Sequence, residues 1–475
     1  MWLGCRTATE TALDARTRLL LEAPPGRTIL RLAWPNVLVM LAQSAIGLIE
    51  TYFVSRLGSD SLAGMALVFP AFMLLQMVSA GAVGGAILSS VSRALGAGDR
   101  GRVDEVVWTS ILVTLALSII TTSVVVPLGP ALYAAMGGTG GSLDAAVTYS
   151  SLVFAGAVPL WLFNSLAAII RGTGNMLMPA AVMVVGTVLL IPLSPLLIFG
   201  IGPFPRLGII GGASAVLVYY VIGAIILGCY IWSGAGVIRP SLRPPRLSRK
   251  PVLEILRIGM TSALTSVSTN VTVAVAMSLV SKANPAYVAG YGTGVRLEYL
   301  LVPLVFGIGA PTAAMTGTSI GAGNVARAGR VAWIAAALAG AVTEAIGLLA
   351  AWMPEHWLKL FSDDPAITAG GVEYLRVVGP AYGLFGIGLA LYFASQGSGR
   401  MLLPLAAALI RVAIVAGLGW LGIAMFGPTG LYAVLVLALV VYAAVNAFGV
   451  MRWSSVLARN QRSPVLGESL AAPAE

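Results

Sequence analysis

The chain has 475 residues, of which 58% are hydrophobic and only 10% are charged, and its mean hydropathy is +0.93. Soluble globular proteins carry about a quarter charged residues, so this composition excludes a soluble enzyme or a soluble binding module. The net charge of +10 does not indicate a nucleic-acid partner, because the basic residues are scattered among short connections. We therefore expect a protein embedded in lipid.

The sequence has few cysteine and histidine residues, the types that often bind metals or act in catalysis. Cys5 and Cys229 lie far apart in the sequence and the sole histidine is His356, so we expect neither a disulfide, nor a metal site, nor a catalytic nucleophile. None of the three lysines follows a glycine, which excludes the phosphate-binding loop that holds ATP in P-loop nucleoside triphosphatases. The sequence predicts a protein that is not an enzyme and binds no cofactor.

Apolar segments long enough to cross about 30 Å of hydrocarbon recur along the chain, and each must be helical because lipid offers the backbone no hydrogen-bond partner. We predict an all-α polytopic membrane protein: a leader (1–28), an N-terminal lobe (29–238), a Pro/Arg-rich linker (239–251), a C-terminal lobe (252–455) and a tail (456–475). Six transmembrane helices are expected in each lobe. The twelve predicted helices span 31–55, 62–92, 103–127, 145–170, 176–200, 208–233, 252–281, 286–318, 325–352, 367–395, 401–426 and 429–453.

Basic residues indicate the orientation of the chain. If both termini are cytoplasmic, 21 of the 28 lysines and arginines fall in cytoplasmic segments, six fall outside, and Arg411 lies within a helix. This asymmetry agrees with the positive-inside rule and with an even number of crossings. We expect a multi-pass protein of the bacterial inner membrane with both termini in the cytoplasm.

The two halves of the chain repeat each other at an offset of about 225 residues. ILRL at 29–32 returns as ILRI at 255–258, GAG at 96–98 returns at 321–323, and RGTGNMLMP at 171–179 returns as QGSGRMLLP at 396–404. Matches in register across half a protein indicate an internal repeat. Because six helices separate the copies, the lobes are expected to have parallel orientation, related by an axis along the membrane normal. Two such lobes around a central cavity suit alternating access.

A family resemblance runs from about residue 28 to residue 455. It is carried by RLAWPNVLVMLAQSAIGLIETYFVSRLGSDSLAGMA (31–66), SRALGAGDRGR (92–102), RGTGNMLMP (171–179), LSPLLIFGIGPFPRLGIIGGA (193–213), GAGN (321–324), LFSDDP (360–365) and QGSGRMLLP (396–404). In this order and spacing the segments resemble the signatures of the multidrug and toxic compound extrusion (MATE) transporters. They are closer to the DinF-like branch than to the NorM-like branch, which has an acidic residue in its seventh helix where this chain has Thr269 beside Asn270.

The resemblance implies a secondary active antiporter that exports cationic or amphipathic small molecules in exchange for protons or sodium ions. It leaves the substrate open, because the wider superfamily also moves metabolites and lipid-linked sugars. A flippase for lipid-linked sugars or lipids is the alternative; such proteins tend to line the cavity with several basic groups, whereas only Arg411 lies deep in this chain. We expect a monomer whose partners are its substrate and membrane lipid.

Glu50 is the first of three carboxylates predicted to lie in the bilayer, where each costs about 2.5 to 3.5 kcal/mol or more and is a candidate for function. It lies about 9 Å from the outer end of the first helix. The resemblance places it where the DinF-like branch has its coupling aspartate. The alternative is a carboxyl near the interface that pairs with Arg56.

Departures from the family pattern bear on the coupling ion. The positions of the family's fifth-helix Asn and Asp are occupied by Leu190 and Ser194, and the sixth-helix hydroxyl position by Val216, with Ser214 close by. Sodium bound with little water needs about five or six oxygen ligands, several of which are missing here. The resemblance, corrected in this way, favours protons over sodium.

Two amides match family positions that face the cavity of the first lobe. Gln43 lies seven residues before Glu50, on the same face of the first helix, and Asn164 lies in the fourth helix. We predict that Gln43, Asn164, Ser194 and Ser214 line the cavity or contact substrate. Amides in apolar helices also form interhelical hydrogen bonds, and that alternative stays open.

The remaining intramembrane charges predict an ion pair in the second lobe. By the rise per residue, Glu298 lies about 18 Å below the outer surface and Arg411 about 15 Å above the inner one, so both lie at nearly the same depth. An arginine cannot be neutralised to escape the bilayer and requires a partner. Glu344, about 13 Å from the outer end of its helix, is the competing partner.

Overall fold

The computed structural model describes residues 15–283, 287–361 and 364–462, and almost all of them are helical. We number the membrane helices α1 to α12; two short helices, Ala15–Glu22 and Pro354–Leu358, lie outside this count. The membrane helices are α1 (Pro25–Ser55), α2 (Ser59–Gly96), α3 (Arg100–Ala135), α4 (Gly140–Ala155 and Ala157–Gly172), α5 (Leu177–Phe199), α6 (Ile209–Ser233), α7 (Arg249–Ala283), α8 (Tyr287–Gly321), α9 (Val325–Trp352), α10 (Pro365–Val378 and Tyr382–Ser398), α11 (402–426) and α12 (428–462).

The predicted twelve-helix architecture is confirmed. Ten continuous segments of the described chain are long and apolar enough to cross a membrane, and the two parts of α4, bent by 50° at Gly156, form one more. The segment Leu402–Arg462 is two helices, because Gly427 has φ 63° and ψ −152° and Pro428 follows it. Gly427 tolerates this positive φ because it has no Cβ, and Pro428 has no amide hydrogen to continue the ladder.

The helix ends differ from the predicted ones. Residues 15–22 of the predicted polar leader form a helix whose Leu20 is buried, and α12 continues to residue 462, into the predicted tail. Residues 1–14 and 463–475 lie outside the described residues. The predicted spans are shorter because hydropathy detects only the hydrocarbon-spanning part, whereas packing and hydrogen bonds continue a helix into the interface.

Each lobe has its own apolar core on one side of the molecule. One cluster of buried side chains is drawn mainly from α1 to α6 and includes Tyr149, Trp161 and Phe163, while another is drawn from α7 to α12 and includes Tyr291 and Tyr382. The outward faces expose large apolar residues, as expected for surfaces that meet lipid tails. The lobes also pack against each other: a further cluster joins Ile29 and Ala33 of α1 to Val305 and Ile308 of α8.

We call the side on which α1 begins and α12 ends the terminal side, and the opposite side the distal side. On the terminal side α2 and α8 cross at backbone contact. A Cβ on Gly96 would lie 2.0 Å from the carbonyl oxygen of Thr318, and a Cβ on Gly321 would lie 2.1 Å from that of Arg93. These two contacts are the same contact made twice, because the repeat offset of 225 relates Gly96 to Gly321 and Arg93 to Thr318.

Hydrogen bonds close the same side. Ser89 Oγ donates to the Gln396 carbonyl at 2.6 Å, and the Arg93 guanidinium donates to the Gly397 carbonyl at 2.7 Å and forms an ion pair with Glu254. In this way α2 of the first lobe is tied to α7 and α10 of the second. The structure thus has its lobes joined on the terminal side.

Candidate functional site

Glu50 is buried in the first lobe without a hydrogen-bond partner. Its side chain is 1% exposed, and neither carboxyl oxygen accepts a hydrogen bond from a described residue. The predicted alternative, a pair with Arg56, is not what the structure has: Arg56 donates to the hydroxyl of Tyr52 at 3.1 Å and lies over that ring. The carboxyl of Glu50 therefore has no positively charged partner among the described residues.

The sequence makes room for this carboxyl with a pair of glycines at the start of α6. A Cβ on Gly212 would lie 2.8 Å from Oε2 of Glu50, and a Cβ on Gly211 would lie 2.4 Å from the carbonyl oxygen of Leu197 in α5. A larger residue at Gly211 would meet backbone and push α6 away, whereas one at Gly212 would displace the carboxyl of Glu50. Sequence reasoning missed Gly212; the tandem glycine in IIGGA at the start of an apolar helix is the signal that could have found it.

Two polar side chains from other helices surround Glu50. The hydroxyl of Ser194 in α5 and the phenol of Tyr149 in α4 lie within electrostatic reach of the carboxyl. Ser194 is fully buried, and its hydroxyl also lacks a hydrogen-bond partner. Leu190, one turn earlier, is buried and contributes no oxygen. The structure brings Ser194 to Glu50 as its nearest candidate partner in α5.

Two other predicted cavity residues are Ser214 and Gln43. Ser214 is half-buried, and Gly212 is the α6 residue that faces Glu50, with Ser214 turned about 200° around the helix from it. Gln43 is half-buried in α1. Neither contacts the carboxyl of Glu50 among the described interactions.

Asn164 is part of an interhelical network. Its amide donates to Oε1 of Gln76 at 3.1 Å and to Oγ of Ser79 at 2.9 Å, and Gln76 in turn donates to the hydroxyl of Tyr220. Ser79 belongs to a π-helical segment, Met77–Val83, in the middle of α2. Such segments leave backbone groups irregular and often occur at functional sites. The network ties α2, α4 and α6 together, which is the alternative that the sequence left open for Asn164.

In the second lobe Glu298 and Arg411 are in contact, as their predicted depths require. Nη2 of Arg411 lies 2.9 Å from Oε1 of Glu298, and both side chains are at least nine-tenths buried. The hydroxyl of Tyr374 donates to Oε2 of Glu298 at 3.3 Å, and the guanidinium lies 5.8 Å from the ring centre of Tyr442. A small cavity with Thr272 in its wall borders this cluster.

Glu344, the competing candidate, has a different partner. Its Oε2 accepts a hydrogen bond of 2.7 Å from the backbone amide of Gly383, in the first turn of the second segment of α10. A carboxylate at a helix N-terminus satisfies an orphan amide and lies at the positive end of the helix dipole. Glu344 is thus engaged at the break in α10 and does not contact Arg411 among the described interactions.

The contact between Glu298 and Arg411 predicts a strong effect on stability. Glu298→Gln and Arg411→Gln should each lower the free energy of unfolding by about 3 to 5 kcal/mol, because each strands the opposite charge in the bilayer. The exchange Glu298→Arg/Arg411→Glu should recover part of the loss. Thermal melting of the purified variants in detergent measures this. Additive losses in the double neutral variant, with no recovery in the exchange, would contradict a pair.

No group of three or more histidine, cysteine, aspartate or glutamate side chains comes together as a metal site within the part of the chain that the structure describes. Among the described residues, each lobe has one buried carboxyl: Glu50 without a charged partner in the first, and Glu298 paired with Arg411 in the second. Both lie within membrane helices, and an isolated carboxyl there suits proton or cation binding.

Comparison with known proteins decides the family. The MatE family profile matches residues 35–196 and 258–421, which together are more than half of the chain. The chain belongs to the MatE family. The two matched stretches begin in α1 and α7 and end in α5 and α11, so each lobe carries one copy. This family of membrane transporters is the one that the sequence resembles.

Individual relatives cover most of the chain. It is 27% identical over 372 residues to the FAD transporter of Shewanella oneidensis, covering 78% of this chain and 81% of that protein. It is 28% identical over 415 residues to a probable multidrug resistance protein NorM of Deinococcus radiodurans, covering 85% and 89%. A solved structure described as the outward-facing conformation of a multidrug resistance MATE family transporter of the MOP superfamily matches with a TM-score of 0.83 and 26% identity, covering 93% and 98%.

These findings confirm the predicted family, the all-helical fold and a multi-pass membrane transporter. Three points stay predictions: membership of the DinF-like branch, the cytoplasmic location of both termini, and the roles of the site residues.

Proposed function

We propose that this protein is a secondary active antiporter that exports cationic or amphipathic small molecules across the bacterial inner membrane in exchange for protons. The single observation that carries the proposal is Glu50, a carboxyl in the core of the first lobe that is 1% exposed and has no hydrogen-bond partner among the described residues. A buried group that is neither paired nor hydrogen-bonded is costly to keep, which argues for a role in binding a transported ion.

Protonation changes the free energy of this site strongly. An ionised carboxylate buried among apolar groups costs several kcal/mol more than the neutral acid, so the buried position of Glu50 favours the proton-bound form. When the cavity opens to water the ionised form is no longer penalised, and the proton leaves. A group that holds a proton in one arrangement of the helices and releases it in another couples proton movement to that rearrangement.

The surroundings of Glu50 support protons over sodium. Among the described neighbours, Ser194 and Tyr149 each supply one hydroxyl, and Leu190 supplies none. Sodium would need several more oxygen ligands, whereas a proton needs only the carboxyl. The names of the relatives, which include multidrug resistance proteins, support small-molecule cargo.

The contacts that join the lobes on the terminal side support assigning this arrangement to one state of the transport cycle. If the terminal side is cytoplasmic, as the distribution of basic residues predicts, the contacts of Gly96 and Gly321 close the cavity to the cytoplasm. The arrangement would then be the outward-facing one, from which substrate leaves and a proton enters. The opposite arrangement requires the contacts between α2 and α8 to part.

Transport by purified protein in proteoliposomes tests the proposal. With the membrane potential clamped by valinomycin and equal potassium, vesicles with an acidic interior should accumulate the cationic dye rhodamine 123, and vesicles with a sodium gradient at equal pH should not. Protein-free vesicles and vesicles treated with nigericin are the controls. Accumulation driven by the sodium gradient at fixed pH would overturn proton coupling, and movement only down the dye gradient would overturn antiport.

A further inference from the structure

Arg171 is a buried arginine without a partner among the residues that the structure describes. It lies in the last turn of α4 on the terminal side and is 4% exposed. Its Nε is buried without a hydrogen-bond partner, and its guanidinium forms no ion pair with a described residue. Because Arg171 ends a predicted membrane helix on the side of the termini, the sequence predicts that it belongs to the charges of the cytoplasmic surface. The structure instead places it inside the protein, where a permanent cation requires an acceptor.

The other well-buried arginines of the described chain each have a partner. Arg327 donates to the carbonyls of Leu20 and Ala23, and Arg411 is paired with Glu298. Arg93 is bonded to Glu254 and to backbone. An arginine left without such a partner is destabilising, so its presence points to an acceptor that arrives during function.

Arg171 lines a small cavity between the two lobes. One wall is formed by α2, with Gly84, Gly85 and Leu88, and the opposite wall by α8 and α10 of the second lobe, with Phe306 and Phe393. Apart from Arg171, Gln396 is the other polar side chain in this lining. The guanidinium therefore borders a space that has apolar and aromatic walls and that would widen when the lobes part.

The internal repeat identifies what is unusual about this position. The offset of 225 relates Arg171 to Gln396, and the two residues line the same cavity from opposite lobes. Gln396 is satisfied, because its Nε2 donates to the hydroxyl of Ser262 at 3.0 Å. The cavity thus has a neutral amide from one lobe and an unpaired positive charge from the other.

We propose that Arg171 binds an anionic group, a carboxylate or a phosphate, of the transported molecule when the lobes part on the terminal side. The inference rests on the proposed export function and deepens it: the preferred substrates are aromatic or amphipathic molecules that carry such a group. Guanidinium and carboxylate or phosphate form two parallel hydrogen bonds, and Phe306 and Phe393 offer apolar surface beside them. Closing the lobes removes the space, and the anion must leave.

Two dyes that differ in one ester group test the inference. Rhodamine 110 carries a free carboxylate, and rhodamine 123 is its methyl ester. In proteoliposomes with an imposed pH gradient, Arg171→Gln should lower transport of rhodamine 110 relative to rhodamine 123 by about tenfold or more, as expected for loss of a charge-assisted hydrogen bond. Arg171→Lys should keep part of the preference.

A double variant designed from the internal repeat tests whether the preference can be rescued, and a variant of Arg327 is the control. The double variant Arg171→Gln/Gln396→Arg returns a guanidinium to the cavity from the other lobe and should recover part of the ratio. Arg327→Gln removes a buried arginine that already has partners and should leave the ratio unchanged. An unchanged ratio in Arg171→Gln, or an equal loss for both dyes, would overturn the inference.

Lipid headgroups are the other source of such a group. Repeating the assay with and without anionic phosphatidylglycerol separates the two, because a headgroup site would make the effect of Arg171→Gln depend on that lipid, and this outcome would also overturn the inference. If the wild-type protein moves neither dye, the export proposal itself fails; movement of rhodamine 123 without an Arg171 effect refutes only the anion site.

Discussion

Glu50→Gln should abolish proton-driven transport while leaving the protein folded and inserted. Glutamine has almost the same shape and no titratable proton, so it mimics the neutral acid that fits the buried site but cannot release a proton. Because the carboxyl forms no hydrogen bond that glutamine would break, the melting temperature should change little or rise. The measurement is the initial rate of rhodamine 123 accumulation under a pH gradient, together with detergent melting.

Two further variants sharpen this test. Glu50→Asp keeps a titratable group one methylene shorter and should retain part of the activity. Glu355→Gln removes a carboxyl that is 58% exposed and pairs with Lys359 at the surface, and it should transport like the wild type. Full proton-driven transport by Glu50→Gln would remove Glu50 from the mechanism and with it the observation on which the proposed function rests.

Replacing Gly96 or Gly321 by valine should prevent the lobes from joining on the terminal side, and transport should be lost. Even a single added Cβ would lie 2.0 or 2.1 Å from a carbonyl oxygen of the facing helix, far inside van der Waals contact. The obstruction is backbone and has no rotamer to adjust, so α2 and α8 must separate. Since an alternating-access cycle needs both arrangements, a protein unable to form one of them cannot complete the cycle.

Distances between spin labels report the separation directly. With Cys5 and Cys229 replaced by serine, labels at the exposed positions Arg100 and Arg400 should shift to longer distances in Gly96→Val and Gly321→Val. The control is Gly417→Val, because a Cβ at Gly417 meets nothing within 4 Å on the exposed face of α11. Wild-type distances and wild-type transport in both glycine variants would show that the close crossing is not required.

Part of the candidate site was accessible from residue types and counting. Glu50 was identified because a carboxylate in an apolar helix is rare, and Glu298 and Arg411 were paired because 1.5 Å per residue places them at one depth. Counting along a helix gives depth but not direction around the axis. For that reason the sequence could not separate Glu298 from Glu344, and the structure did so through the amide of Gly383.

Charge counting was less informative about Arg171. A terminal arginine of a membrane helix is usually a topology signal, and the sequence contains no local mark that distinguishes a solvated arginine from a buried one. Its burial depends on α2, α8 and α10, which come from distant parts of the chain. The repeat did relate Arg171 to Gln396, but only folding shows that the two residues line one cavity.

The sequence by itself determined that this protein is an all-helical membrane transporter of twelve spans in two repeated halves. It could do so because lipid forces every spanning segment into a helix, and length, hydropathy and repeats are one-dimensional properties. Tertiary structure alone decided which side of the lobes is joined and, within the described part of the chain, which carboxyl and which arginine are buried without a partner. Those features depend on side-chain direction and on approaches between distant backbones, such as the contact of Gly96 with Thr318, and no local pattern encodes them.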